Sequence, residues 1–281
     1  MNNTRALLRQ YGLSPKKSFG QNFLVQDRVV EAIAKACVPD DELGKADVIE
    51  LGAGLGALTQ LLIDRAAHVT AVERDRDLVP ILETHFAADI AANRLRVLEA
   101  DAQAIRVDEL LKTSDAPRVL CGNLPYQITG SLLQRAVEQA ESIDRAIFMV
   151  QNEVADRLVA NPSTKAYGAL TVFVTAAFQV DRVMTVSRGA FLPMPDVTSA
   201  VIRLVPKRPR VTEETDLFRQ LVKGAFGMRR KTLRNAWKSI QPNRCTVAEA
   251  CEQAGVSLDA RGETLSVEAF AKVARALGDN R

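Results

Sequence analysis

The chain has 281 residues, a length typical of about two domains. Its 47% hydrophobic and 25% charged residues exclude an intrinsically disordered chain. The four cysteines form no CxxC pair and only two histidines are present, which argues against a zinc site or a disulfide framework and fits a reducing cytoplasm. The N-terminus lacks the apolar core of a signal peptide, and the longest uncharged stretch, residues 166–180, is too short to span a bilayer. We therefore expect a cytoplasmic protein without a metal site or a membrane anchor.

Positive charge is concentrated in three places, although the net charge is only +3. Cations cluster near the N-terminus, around residues 203–210, and in residues 229–238, where five cations stand without an anion. A single cluster of this kind is as often plain solvated surface. Three on a nearly neutral chain predict contact with a polyanion such as a nucleic acid.

From residue 47 to about residue 205, short β-rich runs alternate with stretches of helical periodicity. Strands that alternate with helices predict a parallel, doubly wound α/β sheet. No convincing helix separates the last two runs, so we expect them to form an antiparallel pair at one edge. The predicted strands are DVIEL (47–51), HVTAV (68–72), LRVLEA (95–100), RVLC (118–121), AIFMV (146–150), VDRVMTV (180–186) and TSAVIRLV (198–205).

A basic, proline-bearing connector, residues 205–211, is the best domain boundary. Beyond it the periodicity is helical at residues 216–226, 229–237, 246–255 and 266–277. Thr246 and Glu249 have the spacing of a capping box, and Gly255 stands where a helix should end. We therefore predict a catalytic domain over residues 1–206 and a small all-helical domain over residues 207–281.

A glycine-rich loop follows the first predicted strand. Gly52, Gly54 and Gly56 open a helix there, and glycines at such a turn let the backbone pass close to a ligand. A dinucleotide loop requires G-x-G-x-x-G, whereas this third glycine comes one residue early, which favours a nucleoside without phosphates such as S-adenosylmethionine. Glu73 ends the second strand and Asp101 follows the third, so both carboxylates should face the same crevice beyond the strand ends.

The fourth strand ends in Asn123-Leu124-Pro125-Tyr126. An asparagine oxygen and a main-chain carbonyl of the next turn can accept both protons of an exocyclic adenine amine, which favours pyramidalisation and frees its lone pair for attack on a methyl group. Pro125 stiffens that turn, and Tyr126 can stack on the base. Taken alone, the four residues are also good turn chemistry with an aromatic that simply packs.

Several motifs together resemble one known family. The NLPY motif after a G-x-G-x-G loop is similar to motif IV of the adenine-N6 methyltransferases. KKSFGQNFL (16–24), KAYG (165–168), FLPMPDVTS (191–199) and RRKTLRN (229–235) resemble motifs of the bacterial ribosomal RNA adenine dimethyltransferases that act on the small subunit. The resemblance covers essentially the whole chain. It implies a Rossmann-like sheet of the class I S-adenosylmethionine-dependent methyltransferases, followed by a small helical RNA-binding domain.

The resemblance also implies an activity and its residues. Such enzymes dimethylate N6 of two adjacent adenosines near the 3′ end of 16S ribosomal RNA, within an assembling small (30S) subunit. The target base would be flipped out and held between two aromatic rings. The implied cofactor-binding residues are Asn22, Leu24, Gly52, Gly54, Glu73, Asp101 and Asn123, and the implied catalytic residues are Asn123, Tyr126 and Phe191.

In the last cationic cluster, Arg230, Arg234 and Lys238 recur every four residues. On a continuous helix they would share one face, opposite an apolar face that includes Trp237. Such a cationic face would bind RNA phosphates through shape and charge. We interpret Trp237 as a core residue.

Three other readings stay open at this point. A methyltransferase acting on large-subunit ribosomal RNA would share the cofactor pocket. A ribosome assembly factor with reduced catalysis would share the fold. A nicotinamide oxidoreductase is disfavoured by the early third glycine and by the absence of a plausible proton donor in the pocket. We expect the chain to act as a monomer.

Overall fold

The computed structural model describes residues 4–111, 116–241 and 244–278. They form two compact units. The first comprises the described residues up to Ala155 together with Asp181–Val205, and the second comprises Asp156–Val180 together with the described residues from Pro206 onward.

Helices and strands are numbered here in chain order. The strands β1 to β9 are Phe23–Leu24, Asp47–Leu51, His68–Glu73, Leu95–Glu99, Arg118–Asn123, Arg145–Gln151, Phe178–Val186, Phe191–Leu192 and Ser199–Pro206. The α-helices α1 to α13 are Thr4–Gln10, Asp27–Cys37, Ala57–Arg65, Val79–His85, Ala87–Ala91, Val107–Leu110, Thr129–Glu138, Asn152–Leu158, Ala169–Ala177, Asp216–Gly227, Leu233–Ala236, Val247–Ala254 and Val267–Ala276.

The predicted α/β sheet is confirmed, and every predicted strand lies in it. Its order is β4-β3-β2-β5-β6-β9-β7. Strands β2 to β6 run parallel, whereas β9 pairs antiparallel with β6, and β7 lies beside β9 at the edge. The chain winds outward from β2 in one direction through β3 and β4, then returns to begin β5 on the other side. The carboxyl ends of β2 and β5 therefore flank a topological switch point, where open sheets bind ligands.

The central strands β2, β5 and β6 are buried because helices of the chain cover them. In β2 and β5 the side chains from Val48 to Leu51 and from Val119 to Cys121 are almost fully inaccessible. Such continuous apolar runs are typical of parallel strands that are covered on both faces. Helix α2 packs one apolar stripe, which includes Val30 and Ile33, into the same core. A rigid sheet of this kind fixes the loops at its carboxyl edge.

A second, two-stranded sheet was not predicted. Strand β1 pairs antiparallel with β8, and the register places Phe23 opposite Leu192 and Leu24 opposite Phe191. Each strand has only two residues, so neither shows the alternating pattern by which strands are recognised in a sequence. This sheet joins two of the motifs noted above, residues 16–24 and residues 191–199.

The helical unit begins earlier than predicted, which corrects the predicted division into residues 1–206 and 207–281. Residues 156–180 group with the C-terminal helices. Val172 and Phe173 of α9 are buried in the core of this unit, where the Phe173 ring lies 6.1 Å from the Phe218 ring. The Tyr167 hydroxyl donates to the Leu265 carbonyl at 2.8 Å. Helix α9 is apolar on nearly all sides, so it must be buried by the C-terminal helices. The chain enters the helical unit twice, at residue 156 and at residue 206, and the change of composition at 205–211 marks only the second entry.

The capping signals of the helical unit are confirmed. Thr246 and Glu249 form a reciprocal capping box at the start of α12, and Gly255 ends that helix in the left-handed conformation. Among the described residues, no helix combines the length and the hydropathy that a membrane crossing requires.

Candidate active site

A cavity lies beyond the carboxyl ends of β2, β3, β4 and β5. All the residues predicted to bind the cofactor line it, and so does Tyr126. The cavity wall therefore brings together three parts of the sequence that are far apart: the N-terminal motif, the acidic strand ends and the NLPY turn. The predicted residues in this wall are Asn22, Leu24, Gly52, Gly54, Glu73, Asp101, Asn123 and Tyr126.

The glycines of the first loop have different tasks. All three have positive φ, which favours glycine. Gly52 and Gly54 line the cavity, whereas Gly56 does not. A Cβ on Gly56 would come within 2.4 Å of the Phe86 ring. This glycine therefore permits the start of α3 to pack against Phe86, which lies between α4 and α5. The early third glycine therefore serves packing, and the ligand-facing part of the loop is residues 52–54.

Glu73 connects the glycine-rich loop after β2 to the loop after β3. One carboxylate oxygen accepts the Gly54 amide at 2.8 Å, and the other accepts the amides of Arg74 and Asp75, each at 2.8 Å. Burial raises the pKa of Glu73 above its usual value, and these main-chain donors oppose that rise. Glu73 is therefore held rigidly, and the oxygen that binds Gly54 keeps a lone pair for a ligand hydroxyl.

Asp101 follows β4, the strand next to β3, and lines the same cavity as Glu73. One of its oxygens caps the short 3₁₀ turn that follows, since it accepts the Gln103 amide at 2.9 Å. The other oxygen lies 3.4 Å from the Arg74 guanidinium. The side chain is about one-third exposed, so its carboxylate is accessible from the cavity. A helix-capping role and a ligand-facing position are thus combined in one residue.

The NLPY turn is fixed by hydrogen bonds on both sides. The Asn123 side-chain amide donates to the Asn22 carbonyl at 2.8 Å, and the Pro125 carbonyl accepts both the Ile128 amide and the Thr129 hydroxyl. Among the described residues, no donor is found for the Leu124 carbonyl. The turn therefore presents two acceptors that its own hydrogen bonds leave available, the Asn123 side-chain oxygen and the Leu124 carbonyl.

The NLPY motif is preceded by Gly122. A Cβ at this position would come within 2.3 Å of the Leu51 carbonyl on the neighbouring strand. Only glycine therefore lets β5 approach β2 at the switch point, immediately before Asn123.

Tyr126 lies half-buried at the cavity, and its hydroxyl shares a 2.7 Å hydrogen bond with the hydroxyl of Ser199. Ser199 is the last residue of the FLPMPDVTS motif. Burial raises the pKa of Tyr126, so the phenol stays protonated at neutral pH. This contact gives the serine of that motif a positioning role that sequence reasoning missed.

Phe191, which was predicted to stack on a base, is not among the residues that line the cavity. It is 4% exposed and packs in the hydrophobic core of the first unit together with Leu24 and Ala190. In β8 it pairs with Leu24, and both side chains pack in this core, although Leu24 also lines the cavity. Its contribution to the site is to hold β1, and with it the segment that carries Asn22.

Glu50 is a functional candidate that was not predicted. This side chain lines the cavity, is 2% exposed, and accepts the Thr59 hydroxyl at 2.5 Å. Burial, together with a smaller effect of the nearby Glu73 carboxylate, raises the pKa of Glu50 to about 8, and the hydrogen bond from Thr59 opposes this rise. The available signal was an acid inside the otherwise apolar strand VIEL, because a buried carboxyl without a cation partner commonly marks a site.

The cationic segment 229–238 is not one helix, which corrects the prediction of a shared cationic face. Helix α10 ends at Gly227, and α11 spans only Leu233–Ala236. Thr232 is extended at the N-cap of α11, and the amides of Leu233 and Arg234 bind the carbonyls of Ala260 and Leu258 instead of continuing a helix. Arg230 and Lys238 thus lie in turns on either side of α11, and only Arg234 lies within it.

The cations of this segment differ in their contacts. Arg230, Arg234 and Lys238 are exposed, and Arg234 pairs with the exposed Asp259 at 3.2 Å. Arg229 binds Glu263 and donates to the Lys165 carbonyl, so it anchors the KAYG loop. The predicted burial of Trp237 is confirmed: it is 1% exposed and its ring nitrogen donates to the Leu221 carbonyl.

Comparison with known proteins gives a consistent result. A family model described as ribosomal RNA adenine dimethylase matches residues 12–279. A protein of Anaeromyxobacter sp. (strain K) named ribosomal RNA small subunit methyltransferase A is 42% identical over 98% of this chain and 97% of its own length. A protein of the same name from Myxococcus xanthus is 41% identical over 99% of this chain and 96% of its own length.

Solved structures show the same fold. A dimethyladenosine transferase from Plasmodium falciparum aligns with a TM-score of 0.75 at 23% identity, over 89% of this chain and 95% of its own. The 23S rRNA methyltransferase ErmE aligns with a TM-score of 0.65 at 26% identity, over 91% of this chain and 99% of its own. The likeness in fold to these methyltransferases and the extent of the sequence match lead to one assignment: this chain belongs to the ribosomal RNA adenine dimethylase family.

Proposed function

We propose that this protein transfers methyl groups from S-adenosylmethionine to the N6 amines of two adjacent adenosines near the 3′ end of 16S ribosomal RNA, giving N6,N6-dimethyladenosines. The observation that carries the proposal is one cavity lined by both the acidic strand ends and the NLPY turn. The family membership and the names of relatives about 40% identical over nearly their whole length support it.

The charge of the cavity supports a cationic cofactor. Glu73 and Asp101 line it, whereas the third acid in the wall, Glu50, is largely protonated near neutral pH because its pKa is raised to about 8. The pyrophosphate of a dinucleotide would lie against these carboxyl groups, whereas the sulfonium and ammonium charges of S-adenosylmethionine would be stabilised by them. Glu73 would accept the ribose hydroxyls and Asp101 the adenine amine. Asn22, Leu24 and the loop of Gly52 and Gly54 would hold the methionine end.

The NLPY turn supplies what the reaction needs from the protein. S-adenosylmethionine carries an electrophilic methyl group on a sulfonium, so little acid or base catalysis is required. The difficulty is the adenine amine, whose lone pair is delocalised into the ring. The oxygens of Asn123 and Leu124 would accept its two protons and orient the lone pair toward the methyl group. This is catalysis by positioning and by placed dipoles.

Tyr126 would hold the extruded base. The Ser199 contact fixes the ring at the cavity wall, and an aromatic face stacks on any base by about 1–3 kcal/mol. Because Phe191 is buried, the proposal assigns base stacking to Tyr126 and leaves Phe191 a structural role.

The helical unit would bind RNA through the exposed Arg230, Arg234 and Lys238. The break at Thr232 spreads these cations over two turns and one short helix, a pattern that fits irregular phosphate positions of folded RNA rather than a straight groove. We further propose that the enzyme works as a monomer in the cytoplasm, on 16S ribosomal RNA within the assembling small subunit.

Two readings compete with this proposal. A large-subunit adenine methyltransferase is a reasonable alternative because ErmE shares the fold, but the relatives at 41–42% identity carry the small-subunit name. A ribosome assembly factor with reduced catalysis would bind the same particle, but it would not need the acceptor geometry that Asn123 retains.

One experiment separates all three. The protein is incubated with labelled S-adenosylmethionine and either small or large subunits that lack adenine dimethylation, and the labelled nucleotides are mapped. We expect label only on two adjacent adenosines near the 3′ end of 16S ribosomal RNA. Label on large-subunit RNA would establish the first alternative, and binding to small subunits without label would establish the second.

A further inference from the structure

The segment of residues 16–24, here called the N-terminal strap, connects two walls of the cavity. Its residues from Ser18 to Leu24 line the cavity. At one end it is bonded to the loop after β3, and at the other the Asn22 carbonyl accepts the side-chain amide of Asn123. The strap therefore joins the acidic wall to the NLPY turn.

Asp75 is the attachment point on the acidic wall. One of its oxygens accepts the Lys16 ammonium at 2.5 Å, and the other accepts the Gln21 side-chain amide at 2.7 Å. Gln21 in turn accepts the Lys16 main-chain amide at 2.8 Å, which closes the arrangement into a ring. Two residues of the strap thus meet on one carboxylate, and we call this contact the Asp75 latch.

The latch is strongly coupled to the strap because Asp75 is only 2% exposed. Burial by itself raises the pKa of Asp75, but hydrogen bonds from Lys16, the Asp77 amide and Gln21 outweigh it and lower the pKa below its usual value. The carboxylate is therefore ionised and depends on the strap for two of its donors. Lifting the strap would leave a buried charge partly unsatisfied, which is costly.

The latch is also linked to the acidic residues proposed to bind the cofactor, directly to Glu73 and through Arg74 to Asp101. The Asp75 amide donates to Glu73, the proposed ribose acceptor. The cations of Lys16 and Arg74 lie 5.5 and 5.4 Å from the centre of the Phe19 ring of the strap, and Arg74 approaches Asp101. A displacement of the strap would therefore disturb contacts that position Glu73, Asp101 and Asn123.

We infer that Asp75 is a positioning residue for the cofactor site, which fastens the N-terminal strap across the cavity and holds the cofactor-binding groups in register. The inference rests on the proposed function, since the cavity is taken to be the S-adenosylmethionine site. Asp75 itself does not line the cavity. It acts through Lys16, Gln21 and Glu73, so its loss should change cofactor binding and release more than the methyl-transfer step at saturation.

The test uses the full-length protein with Asp75→Asn, Lys16→Met and the double variant. Asparagine keeps the size of the side chain, but it replaces one of the two oxygens that accept hydrogen bonds from Lys16 and Gln21 with an NH2 group, which cannot accept. Arg76→Gln is the matched control, because Arg76 lies on the same loop, pairs with Glu99 and does not touch the strap. Cofactor affinity is measured by calorimetry, cofactor release by stopped flow, and strap opening by the rate of tryptic cleavage after Lys17.

Each single variant should weaken S-adenosylmethionine binding roughly tenfold, the effect of losing one charge-assisted hydrogen bond, with faster release and little change in kcat. Cleavage after Lys17 should be faster in the variants without cofactor, and saturating cofactor should slow it. The loss in the double variant should be smaller than the sum of the two single losses, because both substitutions remove the contact of Lys16 with Asp75, whereas Lys16 also pairs with Asp77 and Asp75 also binds Gln21. Arg76→Gln should behave like the wild type.

Several results would overturn the inference. Wild-type affinity and wild-type cleavage in Asp75→Asn would do so, and so would fully additive losses in the double variant. If Asp75→Asn does not fold, Lys16→Met and a Gln21→Leu variant test the same contact from the exposed side. Failure of the proposed function is distinct, because the wild type itself would then not bind S-adenosylmethionine, and the cleavage rates would still test the latch.

Discussion

The side-chain amide of Asn123 donates a hydrogen bond to the main-chain carbonyl of Asn22, 2.8 Å away. An asparagine amide can point either way, and this contact selects the orientation in which the nitrogen faces the strap. The side-chain oxygen is therefore the atom left to accept from a substrate. The proposed catalytic residue and the N-terminal motif are thus linked by one hydrogen bond, although the two residues are about a hundred positions apart in the chain.

Replacing Asn123 with Ala should lower the rate of methylation by about a hundredfold to a thousandfold, the range observed when one preorganised hydrogen-bonding group is removed from an active site. Cofactor affinity should fall by much less, because Glu73 and Asp101 remain. The measurement is single-turnover methylation of small subunits beside calorimetric binding of S-adenosylmethionine. A single-turnover rate equal to that of the wild type would exclude Asn123 as the acceptor.

The two aromatic residues should respond differently to substitution. Tyr126→Ala should raise the RNA KM or lower the rate by about tenfold to a hundredfold through loss of stacking, and Tyr126→Phe should keep most activity because the ring remains. Phe191→Leu should stay within a few-fold of the wild type, because a buried apolar side chain is retained. Steady-state kinetics on small subunits measures all three. A loss in Phe191→Leu as large as that in Tyr126→Ala would return Phe191 to the base-binding site.

The buried Glu50 should make the protein less stable at alkaline pH. Its pKa rises from 4.5 to about 8 on folding. Below pH 4.5 the carboxyl is neutral in both states, and as the pH rises toward 8 the unfolded chain ionises first, so stability falls by about 1.4 kcal/mol per pH unit across that window. Glu50→Gln should therefore be more stable than the wild type near pH 8 and similar to it near pH 5.

Denaturant unfolding at pH 5, 7 and 9 measures this difference. Glu99→Gln, at an exposed position on β4, is the control for the loss of one negative charge and should not reproduce the effect. If the stability difference between Glu50→Gln and the wild type is the same at all three pH values, Glu50 is ionised in the folded protein, contrary to the prediction.

Neutralising Arg230, Arg234 and Lys238 together should weaken binding to small subunits and flatten its dependence on salt. Each phosphate contact contributes about 0.7 to 0.9 to the slope of log K against log salt, so the slope should fall by about 2 to 3. Binding is measured by sedimentation between low and physiological salt. Since the three cations are exposed, the variant should fold normally.

The control for this variant removes three exposed cations of the first unit: Arg28, Lys45 and Arg96. It has the same change of net charge and should keep a salt slope close to that of the wild type. Equal slopes in the two triple variants would mean that the segment at 229–238 affects binding only through the net charge of the protein and makes no specific phosphate contacts.

Much of the fold could be predicted because its signals are local. Each sheet strand is an apolar run between turn residues, and the capping box of Thr246 and Glu249 is complete within four residues. The small sheet of β1 and β8 could not be predicted, because its two strands are short and meet only through tertiary contacts. The early start of the helical unit was missed for a related reason, since α9 finds its cover in helices that come later in the sequence.

The site residues at the strand ends were predicted more accurately than the other functional residues. Glu73, Asp101 and Asn123 follow strands whose carboxyl ends meet at one edge, so topology alone brings them together. Helical periodicity failed at residues 229–238, because the amides of Leu233 and Arg234 find carbonyl partners in a distant loop. Neither Glu50 nor Asp75 was predicted, since the role of a buried carboxyl depends on neighbours that only the folded chain reveals.

The pairing of β1 with β8 has a consequence for the making of the protein. Residues 23–24 leave the ribosome early, whereas their partners at 191–192 emerge only after about two-thirds of the chain has been translated. A nascent chain that ends before β8 lacks the strand with which β1 pairs. The N-terminal wall of the cavity can therefore be completed only late in synthesis, and we expect a chain truncated before β8 to lack the complete cavity.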